Sequence, residues 1–294
     1  MLSRFSISLL LAGSLLPVFL YAQTQHCPNT ESPSNNEAQR TKITITAIEF
    51  DPGSQIPESL RPKLTQDAQP ADLFVAPGEP DDDWVNIPSN AIRQTLQSQG
   101  YFRVVVEATP ILIRAEAKER FYVLRINVDS GPQYQLGEIR FENAKLFSST
   151  ELRKAFPLQR GDLLDVSKIR QGIESITRLY GGKGHTLLIP ELETTIQEDP
   201  KKIVDVLIKI DEGVQYRIGS LDMLGLPKKA EDLLMSQLQP GSVFDLNLFN
   251  TLLKENPDLF ENEAIARKHT QMKWDSKSAT VAIILDFRCQ PKSQ

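Results

Sequence analysis

Several kinds of chemistry are poorly represented in this sequence of 294 residues. It has two cysteines and three histidines, and the histidines are too scattered to pair at i,i+4 on a helix as metal ligands do. Lysine and arginine number 33 against 38 aspartates and glutamates, so no basic excess favours nucleic acid. There is no Gly-x-Ser-x-Gly or HExxH motif. We therefore expect no enzyme activity, no catalytic residue, and no cofactor, metal or small-molecule substrate.

Long apolar runs are also missing after the N-terminus. Arg4 precedes an apolar run from Ile7 to Tyr21, and the small residue Ala22 follows. This order is typical of a secretory signal peptide, and the run is short for a membrane span. We predict a signal peptide at residues 1–22, with an uncleaved anchor as the alternative, and hence an exported protein.

Residues 23–40 have almost nothing to bury. They are polar and rich in Asn, Ser, Gln and Pro, which predicts a disordered leader. The two cysteines, Cys27 and Cys289, lie near opposite ends of the chain. Export to an oxidising compartment would permit a disulfide, and the sequence leaves open whether one forms.

What the sequence does contain is a repeat. Residues 134–141 (YQLGEIRF) reappear, diverged, as residues 216–223 (YRIGSLDM). Further along, Gly241 and Asp245 answer Gly161 and Asp165, with the offset between the copies two residues shorter. A repeat of this length exceeds a solenoid unit and suits a small domain. The chain is therefore expected to be an array of similar modules.

The element order is clearest in the second copy. A strand at 134–141 precedes a short helix that opens at Ser148 and Glu151, and Asp165 caps a longer helix. Strands at 186–196 and 202–210 complete a β-α-α-β-β order. The third copy repeats it, with its last strands near 264–274 and 279–287. The first copy follows the same layout, although residues 54–83 resist assignment.

These patterns predict an α+β fold of tandem modules, each a three-stranded mixed sheet covered on one face by two helices. We place the modules at 41–131, 132–213 and 214–290. In the longest helix, apolar spacing predicts that Ile173 and Leu179 are buried. Gly184, after the end of that helix, is expected to supply a positive φ angle.

The second module resembles a POTRA (polypeptide-transport-associated) domain, the periplasmic module of the Omp85 family of outer-membrane assembly proteins and secretion translocators. The resemblance extends over about residues 41–288 and rests on a spaced pattern of residues in the second module: Tyr134, Gly137, Ile139, Phe141, Leu152, Gly161, Asp162, Asp165, Ile169, Gly172, Leu179, Tyr180, Gly184, His185 and 210–213. Members of that family usually continue into a membrane barrel. This sequence ends at Gln294, so we expect a periplasmic array without its barrel.

The resemblance implies that partner segments add to the edge strand of a sheet, which main-chain hydrogen bonds favour with little demand on sequence. The expected partners are an outer-membrane barrel protein, unfolded outer-membrane polypeptides, or both. The candidate edge residues are Phe102, Val104, Val106, Thr186, Leu188, Leu192, Ala264 and Ala266. Gly131, Pro132 and Gly213 are expected hinges between modules.

Other interpretations remain at this point. The chain could be an envelope adaptor, as similar modules are in cell division, or the remnant of a barrel protein without client binding. A cleaved signal and three modules argue against the adaptor, because such division proteins usually carry one module behind a retained anchor.

Overall fold

The computed structural model describes residues 40–70, 72–76, 83–198, 200, 202–260 and 262–288. The predicted signal peptide, the leader up to residue 39, and both cysteines lie outside the described residues. Within those described segments, no helix has both the length and the apolarity needed to cross a membrane.

The first module contains a four-stranded sheet. Its elements are β1 (Thr41–Phe50), α1 (Arg61–Asp67), β2 (Leu73–Val75), α2 (Asn86–Ser98), β3 (Val105–Ala115) and β4 (Glu119–Asp129). The strand order is β2-β1-β4-β3, with β1 parallel to β4 and the other pairs antiparallel. The extra strand β2 corrects the three-stranded expectation for this module. It lies in the stretch that the sequence left unassigned, because three residues are too few to show alternation.

The second and third modules each have a three-stranded mixed sheet, as predicted. The second runs β5 (Gln135–Glu142), α3 (Ser149–Arg153), α4 (Val166–Gly181), β6 (Ile189–Gln197) and β7 (Ile203–Asp211). The third runs β8 (Arg217–Leu224), α5 (Lys228–Gln237), α6 (Leu246–Glu255), α7 (Pro257–Phe260), α8 (Glu263–Lys268), β9 (Thr270–Asp275) and β10 (Thr280–Asp286). Their strand orders, β5-β7-β6 and β8-β10-β9, are equivalent.

Each sheet buries its own hydrophobic cluster. The clusters run from Ile43 to Val128, from Tyr134 to Ile210 and from Ile218 to Phe287. The central strand β7 shows why: every second residue, from Val204 to Ile210, is buried beneath the helices. A strand with one buried face requires this period of two.

The helix ends follow the predicted capping residues. Ser148 and Glu151 form a capping box at the start of α3. Asp165 accepts hydrogen bonds from the N–H groups two and three residues on, and Asp245 does the same at α6. Gly184 has a φ of +84°, which confirms its expected conformation.

One prediction about α4 is wrong. Ile169, Ile176 and Tyr180 are buried and Ile173 is half-buried, but Leu179 is 42% exposed. Ile169, Ile176 and Tyr180 form the buried face of α4. With 3.6 residues per turn, Leu179 lies next to this face and not on it.

The two module junctions are built alike. The Tyr134 N–H donates to Gly100 O, and the Tyr216 N–H donates to Gly184 O, each at 2.9 Å. The expected hinge glycines, Gly131 and Gly213, both have a φ of +59°. Each donates its N–H to an aspartate two residues earlier, at 3.1 and 3.0 Å.

Candidate polypeptide-binding edge strands

Three strands, β3, β6 and β9, lie at equivalent edges of the three sheets. Each is antiparallel to the central strand of its sheet and, within the described residues, pairs with that strand alone. The N–H and C=O groups along its outer side are therefore available to another extended segment. The three edges differ in which residues they present.

In the first module, the edge strand begins later than predicted. Phe102 and Val104 precede β3, and only Val106 lies within it. Phe102 packs against the core of the second module, 6.2 Å from the Tyr134 ring, and Val104 is buried in the first. Phe102 therefore belongs to the module junction and Val104 to the first core, and neither is part of the edge strand. The exposed apolar residues of β3 are Val105, Leu112 and Ile113.

In the second module, β6 also begins later than predicted. Thr186 lies in a turn and Leu188 is buried just before the strand, whereas Leu192 lies within it and is 46% exposed. The turn is held near His185, whose Nδ1 lies 2.9 Å from Glu212 O. At its other end β6 reaches Gln197. Thr194, Thr195 and Ile196 lie within the predicted strand 186–196 and also belong to this edge, although they are not among the candidate edge residues.

The side chains of β6 divide into two sets by face. Pro190, Leu192 and Ile196 lie opposite Ile210, Ile208 and Val204 on the helix-covered side. Glu191 and Glu193 lie on the other face, where Lys209 Nζ is 2.5 Å from Glu193 Oε1. The hydrogen bond with Glu193 raises the pKa of Lys209, although burial works against it. Every residue of β6 is exposed or half-buried.

The edge of β6 is protected at its start. Pro190 has no N–H to offer a pairing strand, and the two glutamates add charge. Such residues prevent indiscriminate edge-to-edge association. The stretch from Leu192 to Gln197 is therefore the more favourable place for an added strand.

In the third module, the predicted edge residues are in a helix. Ala264 and Ala266 belong to α8, which begins where Asn262 Oδ1 accepts from the Ile265 N–H at 2.9 Å. Alanine favours helix, and Ala266 is fully buried. The edge strand here is β9, whose Met272 and Trp274 pack towards the core. Its outer positions are Gln271 and Lys273.

The sequence of the second module matches a known family. Residues 134–213 match the POTRA family, described as "Surface antigen variable number repeat". The matched range begins at Tyr134, at the first junction, and ends at the glycine that follows β7.

Two comparisons cover most of the chain. It is 21% identical over 255 residues to a "Putative outer membrane protein assembly factor" of Treponema pallidum (strain Nichols), covering 85% of this chain but only 30% of that protein. Its fold is similar to the crystal structure of Haemophilus influenzae BamA POTRA3-5, with a TM-score of 0.60 and 17% identity. That match covers 84% of this chain and 96% of the other. Residues 134–213 therefore match the POTRA family in sequence, and the fold of most of the chain is similar to that of an array of three POTRA domains.

Proposed function

We propose that this chain is a periplasmic polypeptide-binding scaffold that assists outer-membrane protein assembly or secretion. The observation that carries the proposal is the edge strand β6 in the POTRA domain, which has no fully buried residue and is most favourable for pairing from Leu192 to Gln197. An extended client would pair with its outer side through main-chain hydrogen bonds. Such pairing suits clients of many sequences, since it reads the backbone.

The chemistry of β6 favours a client with alternating side chains. A strand added beside β6 would place every second residue near Leu192 and Ile196, and the others near Glu191 and Glu193. Apolar residues on the first face and polar or basic residues on the second would fit. Transmembrane strands of outer-membrane proteins alternate in this way.

The proposed location and partners rest on two further observations. The sequence begins with a predicted signal peptide, and the Treponema pallidum relative carries a name that refers to outer-membrane assembly. We therefore propose periplasmic location near the outer membrane. The partners would be unfolded outer-membrane polypeptides, a barrel protein, or both.

A peptide titration followed by NMR tests strand addition. The probe is a peptide of about ten residues that alternates valine and threonine, since a membrane strand has about that length. We expect weak binding, because ordering a flexible peptide offsets much of the hydrogen-bond gain. Backbone amide shifts should change along β6, centred on Leu192 to Gln197. If β6 stays unperturbed while an outer-membrane partner binds elsewhere, the chain is a docking adaptor.

A pair of proline variants sharpens the test. Neighbouring residues of an antiparallel strand direct their N–H groups to opposite sides. Of Leu192→Pro and Glu193→Pro, one therefore removes a hydrogen bond to β7 and the other removes a donor only from the outer side. The variant that removes the outward N–H should keep the native NMR spectrum. It should bind the peptide about fivefold more weakly, since one hydrogen bond contributes about 1 kcal/mol. Unchanged affinity in that variant would refute strand addition at β6.

A further inference from the structure

The helix-covered side of the POTRA domain carries a cleft that the edge-strand proposal does not use. It has a volume of about 580 Å³ and lies between α3 and the C-terminal half of α4. Its lining residues are Phe147, Glu151, Lys154, Ala155, Ser175, Arg178, Leu179 and Asn247. Asn247, from the start of α6, closes one end and donates from Nδ2 to Arg178 O at 2.7 Å.

Most of the accessible surface of the cleft is apolar. Leu179 on α4 is 42% exposed, and half-buried Phe147 and Ala155 line the other part. The Phe147 ring is fixed edge-on against Tyr180, with ring centroids 4.9 Å apart. Exposed apolar groups arranged around a preformed concavity are typical of ligand or protein contact sites.

The third module differs from the second at the position equivalent to the cleft. Leu259 stands at the repeat position of Leu179, yet it is half-buried and packs against the third core. There α7 contacts α5, a helix of ten residues, whereas α3 has five. In the third module the helix that carries Leu259 therefore contacts a first helix that is five residues longer than α3. In the second module the corresponding place is an open cleft beside the short α3.

The rim of the cleft carries two cations, Lys154 and Arg178, and one anion, Glu151. The carboxylate of Glu151 is part of the capping box of α3: it accepts hydrogen bonds from Ser148 N at 2.9 Å and from Ser148 Oγ at 2.7 Å. Both hydrogen bonds, together with the nearby charge of Lys154, hold the pKa of Glu151 below its usual value, so the carboxylate stays ionised. Within the described residues, Lys154 and Arg178 form no ion pair with a carboxylate. The rim therefore has a net positive charge, which favours acidic side chains over basic ones.

We propose that this cleft docks an amphipathic helix of a partner protein, with apolar side chains against Phe147 and Leu179 and acidic side chains towards Lys154 and Arg178. Binding of an amphipathic helix in an apolar groove is a general mode of recognition. The cleft lies between α3 and α4 and shares no lining residue with β6, where strand addition is proposed. It goes beyond the proposed function and does not depend on it.

Two synthetic peptides test the charge and the groove together. Both are helical, labelled, about 14 residues long, and carry leucines at i, i+3, i+4 and i+7; one has glutamates on the flanks and the other lysines. By fluorescence anisotropy with the full chain, the glutamate peptide should bind about tenfold more tightly. In the Arg178→Glu variant, the ratio of the two affinities should fall towards one or reverse in favour of the lysine peptide. Equal binding of both peptides by the native chain, or binding of neither, would overturn the proposal.

A matched pair of surface variants separates the cleft from general adhesion. Leu179→Ser removes an apolar group from the cleft, and Met235→Ser removes one of similar exposure (45%) from α5, outside it. Both residues are exposed, so both variants should fold, as circular dichroism can verify. We expect Leu179→Ser to weaken glutamate-peptide binding several-fold and Met235→Ser to leave it unchanged. Equal loss in both variants would rule out a specific cleft.

Discussion

At the scale of single residues, helix α4 shows how closely opposite environments can be spaced. Ile176 is fully buried, and Leu179, three residues on, is 42% exposed. Apolar periodicity identified the helix and most of its buried side. It could not separate a leucine at the border of the stripe from one in the core, because both fit the same spacing.

This contrast gives a stability prediction. Ile176→Ala should destabilise the second module by about 2–5 kcal/mol through lost burial and a cavity. Leu179→Ala should change the free energy of unfolding by less than about 0.5 kcal/mol, as surface substitutions usually do. The two tryptophans, Trp84 and Trp274, lie in the first and third modules, so their fluorescence does not follow unfolding of the second. Native-state hydrogen exchange of the β7 amides measures the stability of the second module locally. Similar exchange in the two variants would show that the burial of α4 is misassigned.

Glu212 is a second residue whose environment has a measurable consequence. Its Oε1 accepts from the Lys145 and Leu146 N–H groups at 2.7 and 2.8 Å and from the Tyr180 hydroxyl at 2.9 Å. Burial raises the pKa of Glu212, but these hydrogen bonds lower it more, so the net pKa lies below the usual value. Burial together with the bond to Glu212 raises the pKa of Tyr180.

The lowered pKa fixes the direction of a pH effect. Because the folded pKa of Glu212 is depressed, its stabilisation is complete above the unfolded pKa of about 4.3 and is lost as pH falls through the folded value. Glu212→Gln should therefore lower the melting temperature at pH 7, and the difference from the native chain should shrink at pH 3. A difference that stays constant between pH 7 and pH 3 would show that the carboxylate charge is not involved.

At the scale of elements, the repeat predicted the order of strands and helices but not where copies diverge. The third module was expected to have a strand near residue 264, by analogy with the second. Helix α8 lies there instead, preceded by the short helix α7, and the strand begins only at Thr270. The signals were local: Pro257 starts one helix and Asn262 caps the other. Local capping overrode the analogy with the second copy.

The cap on α8 can be tested directly. Asn262→Ala removes the acceptor for the Ile265 N–H and should destabilise α8 by about 0.5–2 kcal/mol, whereas Asn262→Gly should cost only a few tenths. The measurement is the exchange rate of α8 amides and their chemical shifts. If the alanine variant keeps native protection throughout α8, the cap does not determine this helix.

At the scale of the whole molecule, the junctions repeat as faithfully as the modules. Gln133 and Gln215, just before each first strand, donate from Nε2 to Gln99 O and Lys183 O at 2.8 and 2.9 Å. The first junction has an additional ion pair, Arg103 Nη1 to Glu198 Oε1 at 2.7 Å. From the sequence we predicted hinges beside these junctions, at Gly131, Pro132 and Gly213. The sequence could not predict the contacts between modules, which depend on surfaces brought together by folding.

A pair of alanine variants tests the second junction. A Cβ at Gly184 would lie 2.8 Å from Val243 Cγ1 and 2.9 Å from Tyr216 O, whereas a Cβ at Gly161 would meet nothing within 4 Å. Both glycines have a positive φ, so both variants share the backbone strain. Only Gly184→Ala should also change the distance between spin labels on the second and third modules. The same distance distribution in both variants would mean that this contact does not set the junction.

The module boundaries and hinges remain predictions at this scale. We expect residual bending at Gly131, Pro132 and Gly213, between modules placed at 41–131, 132–213 and 214–290. The spin-label distances of the native chain, measured across each junction, would detect that bending as a broadened distribution.

Site-specific photo-crosslinking in the native envelope tests the central claim, strand addition at β6, most directly. A photoreactive residue is placed at Leu192 or Thr194 in β6, or at exposed Glu174 on α4 as a control. We expect unfolded outer-membrane polypeptides to crosslink to both β6 positions and not to position 174. Crosslinking of those polypeptides to position 174 as strongly as to β6, or none at β6, would contradict it.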